Sequence, residues 1–242
     1  MSNSMVRITI RKIELSSTFS NAIRAAVRRK PRDEARRARN DVYRQHIFTA
    51  AERVFAERGF EAAKVQEISA LAGLSMGTIY AIFPGKTELF RAILEERGQE
   101  LLGLVRAVAG RTSAPLDTLH ALIALYVDYF LGHPDFLRMH LRSGTSWALS
   151  PSAGTDSQVE HWQDIHALQA DIFRRGIAAG AFVDEDPGYL AKTFSVMDQV
   201  LLADWVAGGM KAGRDELVRR LQGQVERSFC QAALLPRQGV ER

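Results

Sequence analysis

With 242 residues, 46% of them apolar and 8% aromatic, the chain has a globular composition and enough length for one or two domains. Its single cysteine, Cys230, excludes an intramolecular disulfide and a cysteine-rich metal cage, and fits a reducing, cytoplasmic setting. No apolar run is long enough to span a bilayer, so no membrane association is expected.

In chain order, the first stretch, Met1 to Ile23, has charges inside its apolar runs and makes a poor signal peptide. The net charge of +4 is unevenly spread: Arg24, Arg28, Arg29, Lys30, Arg32, Arg36, Arg37 and Arg39 stand against only Asp33 and Glu34. Residues 1–39 therefore read as a basic, flexible extension. Arg28, Arg29, Lys30, Arg32, Arg36, Arg37 and Arg39 form a candidate arm for phosphates or the minor groove, or else a solvated leader. The first helix is expected from Asn40 to Arg58, with Ile47, Ala50, Ala51, Val54 and Phe55 at helical spacing. Gly59 ends it, and Phe60 folds back onto a small core.

Val65, Ile68 and Ala72 mark one apolar face of a short helix that stops at Gly73. Leu74 plugs the corner and Ser75 is placed to cap the next helix, Met76 to Phe83, which turns Ile79 and Phe83 inward. Pro84-Gly85 ends that helix, and Lys86-Thr87 opens another. Two helices across a short Gly-bearing turn make a helix-turn-helix, whose second helix is built to enter a major groove.

The segment from Tyr43 to Leu89 resembles the DNA-binding domain of the TetR family of transcriptional regulators. The likeness rests on Ala50-Ala51, Phe55, Gly59-Phe60, Ile68, Ala72-Gly73-Leu74-Ser75, Gly77-Thr78-Ile79-Tyr80, Phe83, Lys86 and Glu88-Leu89. It implies that Tyr80 and Lys86 touch phosphate, and that Gln66, Met76, Gly77, Thr78, Ala81 and Ile82 face the bases. Two departures stand out. Lys64 occupies a position where the family usually has a capping Ser or Thr; its ammonium suits a phosphate instead. Met76, Ala81 and Ile82 are apolar where polar, basic or aromatic side chains are common, so direct hydrogen-bond readout is expected to be thin. Ile82 has an alternative place, packed inward beside Ile79.

Beyond this domain, set at 40–88, residues 89–242 read as a larger helical domain. Helices are expected over Lys86–Ala109, Leu116–Gly132, Asp135–Arg142, Val159–Ala179, Asp186-Pro187 to Gly208-Gly209, and Asp215–Leu235, with a loop from Ser143 to Ser157. The class is all-α. The resemblance implies an effector pocket in the middle helices, with Leu104, Tyr126, Tyr129, Phe130, Phe136, Met139, His140, Trp147, Trp162, His166 and Gln169 as candidates. Such a lining suits a small apolar or aromatic molecule, although plain packing is the alternative for each residue. The stripes Leu190, Phe194, Met197, Leu201, Trp205 and Leu217, Leu221, Val225, Phe229 are candidates for a homodimer interface, or for cover of the monomer's own core.

No cofactor and no metal are expected: His161 and His166 are not three or four residues apart, the spacing that stacks ligands on a helix face. Gly73-Leu74-Ser75-Met76-Gly77 fits the nucleophile-elbow pattern of a serine hydrolase, but that elbow needs a preceding strand and a helix is expected here. The function expected is a non-enzymatic regulator that binds double-stranded operator DNA, a repressor released by a small effector. The alternatives are a hydrolase using Ser75 and a non-specific basic DNA-coating protein.

Overall fold

The computed structural model describes residues 31–111, 114–144 and 156–231. Among these residues it is built from nine α-helices and one isolated antiparallel bridge, Phe182 to Cys230. The helices are α1 (Pro31–Ala62), α2 (Val65–Ala72), α3 (Met76–Ile82), α4 (Lys86–Ala109), α5 (Pro115–Gly132), α6 (Pro134–Arg142), α7 (Asp156–Ala178), α8 (Pro187–Ala207) and α9 (Arg214–Phe229).

The chain divides after Gln45 into two compact units. In the first, residues 31–45 are helical and the side chains from Glu34 to Val42 are exposed. This corrects the expectation of a flexible extension up to residue 39. Helix α1 starts at Pro31, not Asn40, because a run rich in Arg and Ala has good helix propensity without any apolar period. At its other end α1 breaks at Gly59 (φ 76°, ψ 166°), as its lack of a Cβ predicts.

The second unit, from His46 onward, holds the cores. Phe55, Phe60 and Phe90 meet as a cluster, with ring centroids 5.1–5.9 Å apart, and Phe48 stacks on Phe83 at 5.5 Å. Ile68, Ile79, Leu89 and Ile93 are fully buried around them. In the rest of the unit α4 packs on α5 and α7, α7 on α8, and α9 on α5 and α8. Asp186 caps α8 by accepting the Tyr189 N–H at 2.7 Å, with Pro187 in the first turn. The end of α7 is sealed by Phe182, which lies so close that a Cβ on Gly176 would sit 2.0 Å from its ring. Two backbone bonds, Val183 N–H to Phe229 C=O (2.8 Å) and Gln231 N–H to Ala181 C=O (3.3 Å), then tie this corner to the end of α9. Helix α9 stops at Phe229 rather than near Leu235, since Cys230 turns into the extended bridge.

Candidate nucleic-acid interface and effector cavity

Helix α2 is held by Val65 and Ile68, which leaves Gln66 exposed on the opposite side. Lys64 occupies the N-cap position in extended conformation, makes no capping bond and is exposed, as its lack of an acceptor requires. Gly73 closes the helix in the left-handed region (φ 67°), which puts the Leu74 N–H 3.1 Å from the Ser69 carbonyl. The Ser69 hydroxyl donates back to the Leu74 carbonyl at 2.6 Å, so the turn is tied twice. Ser75 then caps α3: its Oγ accepts the Thr78 N–H at 3.1 Å and lies 2.9 Å from Thr78 Oγ1.

That geometry rotates α3 so that Ile79 is buried and Tyr80 is 47% exposed. Gly77 and Ala81 are exposed and Thr78 is half-buried. Met76 and Ile82 need a correction: both are half-buried and pack against the core, so only part of each side chain can face a base. Lys86 also departs from the expected phosphate role. Its ammonium donates to the carbonyls of Phe60 (2.7 Å), Glu61 (3.0 Å) and Ala63 (3.3 Å) and sits 4.6 Å from the centroid of the Phe60 ring. An ammonium has three protons, and all three have acceptors inside the protein. Of the basic arm, Arg36, Arg37 and Arg39 are exposed on α1; the Arg32 side chain and Arg28, Arg29 and Lys30 lie outside the described residues.

Helix α1 is tied to α4 and α6 through polar contacts. Arg97 on α4 grips the Glu52 carboxylate on α1 with two bonds, 2.8 and 3.3 Å, and reaches Glu100 at 3.0 Å. Burial pushes the Glu52 carboxyl up against the pull of Arg97, whereas two carboxylates overcome the burial of Arg97 and hold it charged. The Tyr129 hydroxyl on α5 lies 3.0 Å from the Arg97 carbonyl and 3.2 Å from Glu100, to either of which it can donate. On α6, Arg142 donates to the Glu57 carbonyl at 3.2 Å.

Between α4, α5, α7 and α8 lies a cavity of about 10 Å³ lined by Leu101, Tyr126, Phe130, Trp162, Ile165, Gln169, Ser195 and Asp198. That is room for about one water, so a larger occupant would have to part the helices. Of the expected lining residues, Tyr126, Phe130, Trp162 and Gln169 are there. Leu104 is not: it is 39% exposed on the outer side of α4. Tyr129 is turned toward Arg97, and Phe136, Met139 and His140 are core residues, His140 with its ring 6.1 Å from Phe136 and 6.3 Å from Trp162. Burial lowers the His140 pKa to about 4, so it is neutral. His166 is half-buried outside the lining, and Trp147 lies outside the described residues.

Sequence reasoning missed the most polar part of this site. Ser195 donates to Gln169 Oε1 at 3.1 Å, and Gln169 Nε2 donates to the Tyr126 hydroxyl at 2.9 Å. Asp198 is 3% exposed, and its Oδ1 is buried without a hydrogen-bond partner. Burial raises its carboxyl to about 7. A signal for it existed, because Asp198 follows Phe194 by one helical turn on the stripe that continues to Leu201 and Trp205.

The stripes assigned to dimerisation are also corrected. Leu190, Phe194, Leu201, Trp205, Leu217, Leu221, Val225 and Phe229 are all buried within the single chain, and Met197 is half-buried. The outward side of α8 instead carries Tyr189, Thr193, Val196, Val200, Ala203 and Ala207, with Tyr189 60% and Val200 59% exposed. Ser75, for its part, follows the helix–turn α2–Gly73 rather than a strand, and its hydroxyl serves as the α3 cap. Among the described residues there is no cluster of His, Cys, Asp and Glu able to hold a metal, and no helix long and apolar enough to cross a membrane.

Comparison with known proteins agrees with this geometry. Residues 47–93 match the family model of bacterial regulatory proteins of the tetR family. The HTH-type transcriptional repressor SCO4008 of Streptomyces coelicolor is 28% identical over 183 residues, covering 71% of this chain and 86% of that protein. The HTH-type transcriptional repressor NicS of Pseudomonas putida is 26% identical over 145 residues, covering 60% and 68%. FadR from Bacillus subtilis, solved in complex with stearoyl-CoA, shares the fold with a TM-score of 0.62 at 17% identity, over 75% of this chain and 96% of that one. With a capped helix α3 on a three-helix core and this set of relatives, residues 47–93 carry the DNA-binding domain of the tetR family of bacterial regulatory proteins.

Proposed function

We propose that the chain is a homodimeric repressor that occupies operator DNA and leaves it when a small effector binds among α4, α5, α7 and α8. The observation that carries DNA reading is the posture of α3: Ile79 anchors it while Gly77, Tyr80 and Ala81 face outward, next in sequence to a tightly tied turn. Gln66 and Thr78 supply polar base contacts, and Tyr80 and Lys64 supply phosphate contacts that position without reading sequence. The exposed Arg36, Arg37 and Arg39 add salt-dependent affinity.

Two reading heads are needed for a palindromic site, and the outward face of α8 suits pairing. Its Tyr189, Thr193, Val196, Val200, Ala203 and Ala207 form a continuous row of apolar or weakly polar groups. A self-complementary contact of this kind fits a two-fold axis. Sedimentation of a Val200→Glu chain as monomer, with the unaltered chain a dimer, is the expected result.

Effector release is supported by wiring. Leu101 on α4 and Tyr126 and Phe130 on α5 line the cavity, and the same helices carry Arg97, which grips Glu52, and Tyr129, which donates to the Arg97 carbonyl or Glu100. An occupant that parts α4 from α7 and α8 shifts the reading head, lowering DNA affinity by no more than its differential affinity for the two states. SCO4008 and NicS being repressors, and FadR binding stearoyl-CoA, favour the same sense. The decisive experiment is binding to DNA upstream of the gene against random duplex over a salt series. A preference for the upstream DNA that Gln66→Ala and Thr78→Ala both reduce is expected. A steep salt slope without preference would leave only non-specific coating.

A further inference from the structure

The cavity has an uncommon polarity. Its walls are aromatic and aliphatic, its amide and hydroxyls are satisfied along the chain Ser195–Gln169–Tyr126, and what is left over is an acid. Asp198 Oδ1 has no donor, and among the described residues no ion pair reaches this side chain. Burial alone accounts for its raised pKa; no neighbouring cation pulls it down. The Asp198 charge in turn adds to burial in raising the Tyr126 phenol, which places the two groups within electrostatic reach. A buried carboxylate lacking a cation is costly, and the cost is relieved most by a positive ligand that can also donate a hydrogen bond. The faces of Tyr126, Phe130 and Trp162 add an environment that attracts cations.

We infer that this cavity is the seat of a protonated amine, its ammonium donating to Asp198 and its carbon skeleton lying against Tyr126, Phe130 and Trp162. The inference rests on the effector reading above and narrows it. It separates this chain from the stearoyl-CoA complex of FadR, because an anionic group brought to the same place would meet the Asp198 carboxylate rather than a partner. An uncharged ligand of equal shape would leave the acid as it is, so it should bind more weakly. The small volume fits a closed state, in which the acid waits uncompensated until an amine wedges the helices apart.

The test uses the full chain and three probes of one skeleton, phenethylamine, phenethyl alcohol and phenylacetate. Binding is read by calorimetry and Trp fluorescence at about pH 8, and operator affinity is read in parallel by anisotropy. The amine should bind about 10- to 100-fold tighter than the alcohol, the range of one charge-assisted hydrogen bond, and tighter still than the acid. Asp198→Asn should abolish that preference, with the alcohol's affinity changing far less than the amine's. Asp198→Glu, checked for an intact melting transition, should keep a preference for the amine. Equal binding of amine and alcohol, tighter binding of phenylacetate, or no binding by any probe would overturn the assignment. An Asp198-dependent amine preference with unchanged operator affinity would instead keep the site and remove the effector reading.

Discussion

Replacing Asp198 by Asn tests the buried acid in the protein alone. Burial raises the carboxyl from 3.8 to about 7, so between those values the folded chain holds a proton that the unfolded chain has lost. The stability linked to this proton is complete below 3.8 and is lost as pH rises through about 7. At about 1.4 kcal/mol per pH unit of difference between the two states, going from about pH 5 to about pH 8.5 should cost the native chain roughly 2–3 kcal/mol through this one group. The Asn amide does not titrate. It is also buried and leaves a polar group poorly partnered, a penalty of about 1–3 kcal/mol that is the same at every pH. Urea denaturation of both proteins across that pH range should therefore show Asp198→Asn near or below the native chain in stability at acid pH. The difference should then move in its favour by roughly 2–3 kcal/mol on the alkaline side. Parallel pH profiles would refute the reasoning, since they would mean that the folded carboxyl is already satisfied.

Four further outcomes follow from the packing. Gly176→Ala should destabilise the fold by about 1–3 kcal/mol or more in denaturant melts, because the new methyl meets the Phe182 ring and the Phe182–Cys230 corner must shift. Arg97→Met should cost roughly 3–5 kcal/mol by leaving Glu52 buried without its cation. Glu52→Gln should cost less, about 1–3 kcal/mol, because Arg97 keeps Glu100; the same melts rank the two. Lys86→Met should lower the melting stability of the DNA-free protein by about 1–2 kcal/mol, whereas a side chain engaged only with phosphate would leave it unchanged.

The helix-turn-helix was legible because its turns depend on particular backbone demands. Gly73 must take a positive φ, Ser75 must offer an acceptor, and each leaves a mark at a fixed position. The start of α1 was not legible, since Pro31 to Arg39 is held by propensity and exposure, without an apolar face to betray it. The stripes assigned to pairing turn inward for a physical reason. The bulky side chains Phe194, Leu201 and Trp205 were assigned to the interface, yet they fill the chain's own core and leave Val196, Val200 and Ala203 outside. Asp198 escaped notice because an acid is expected on the wet side of a helix, and only its register with Phe194 says otherwise. Lys86 was assigned by family resemblance to phosphate, and three carbonyls at the broken end of α1 compete for it.

Those same carbonyls make α4 a lever. Its first residue is fastened to the end of α1 by Lys86, its middle is pinned to Glu52 by Arg97, and Leu101 beyond them touches the cavity. From Lys86 to Leu101 the helix runs about 22 Å at its usual rise per residue. If α4 moves as one rod, a tilt of about ten degrees set at the cavity carries its other end roughly 4 Å, and the reading helices fastened there are carried with it. A displacement of that size is small inside the protein and large for a side chain seeking one edge of one base. Under the proposed effector-released mode, the stiffness of a single helix is enough to link a filled cavity to the position of α3.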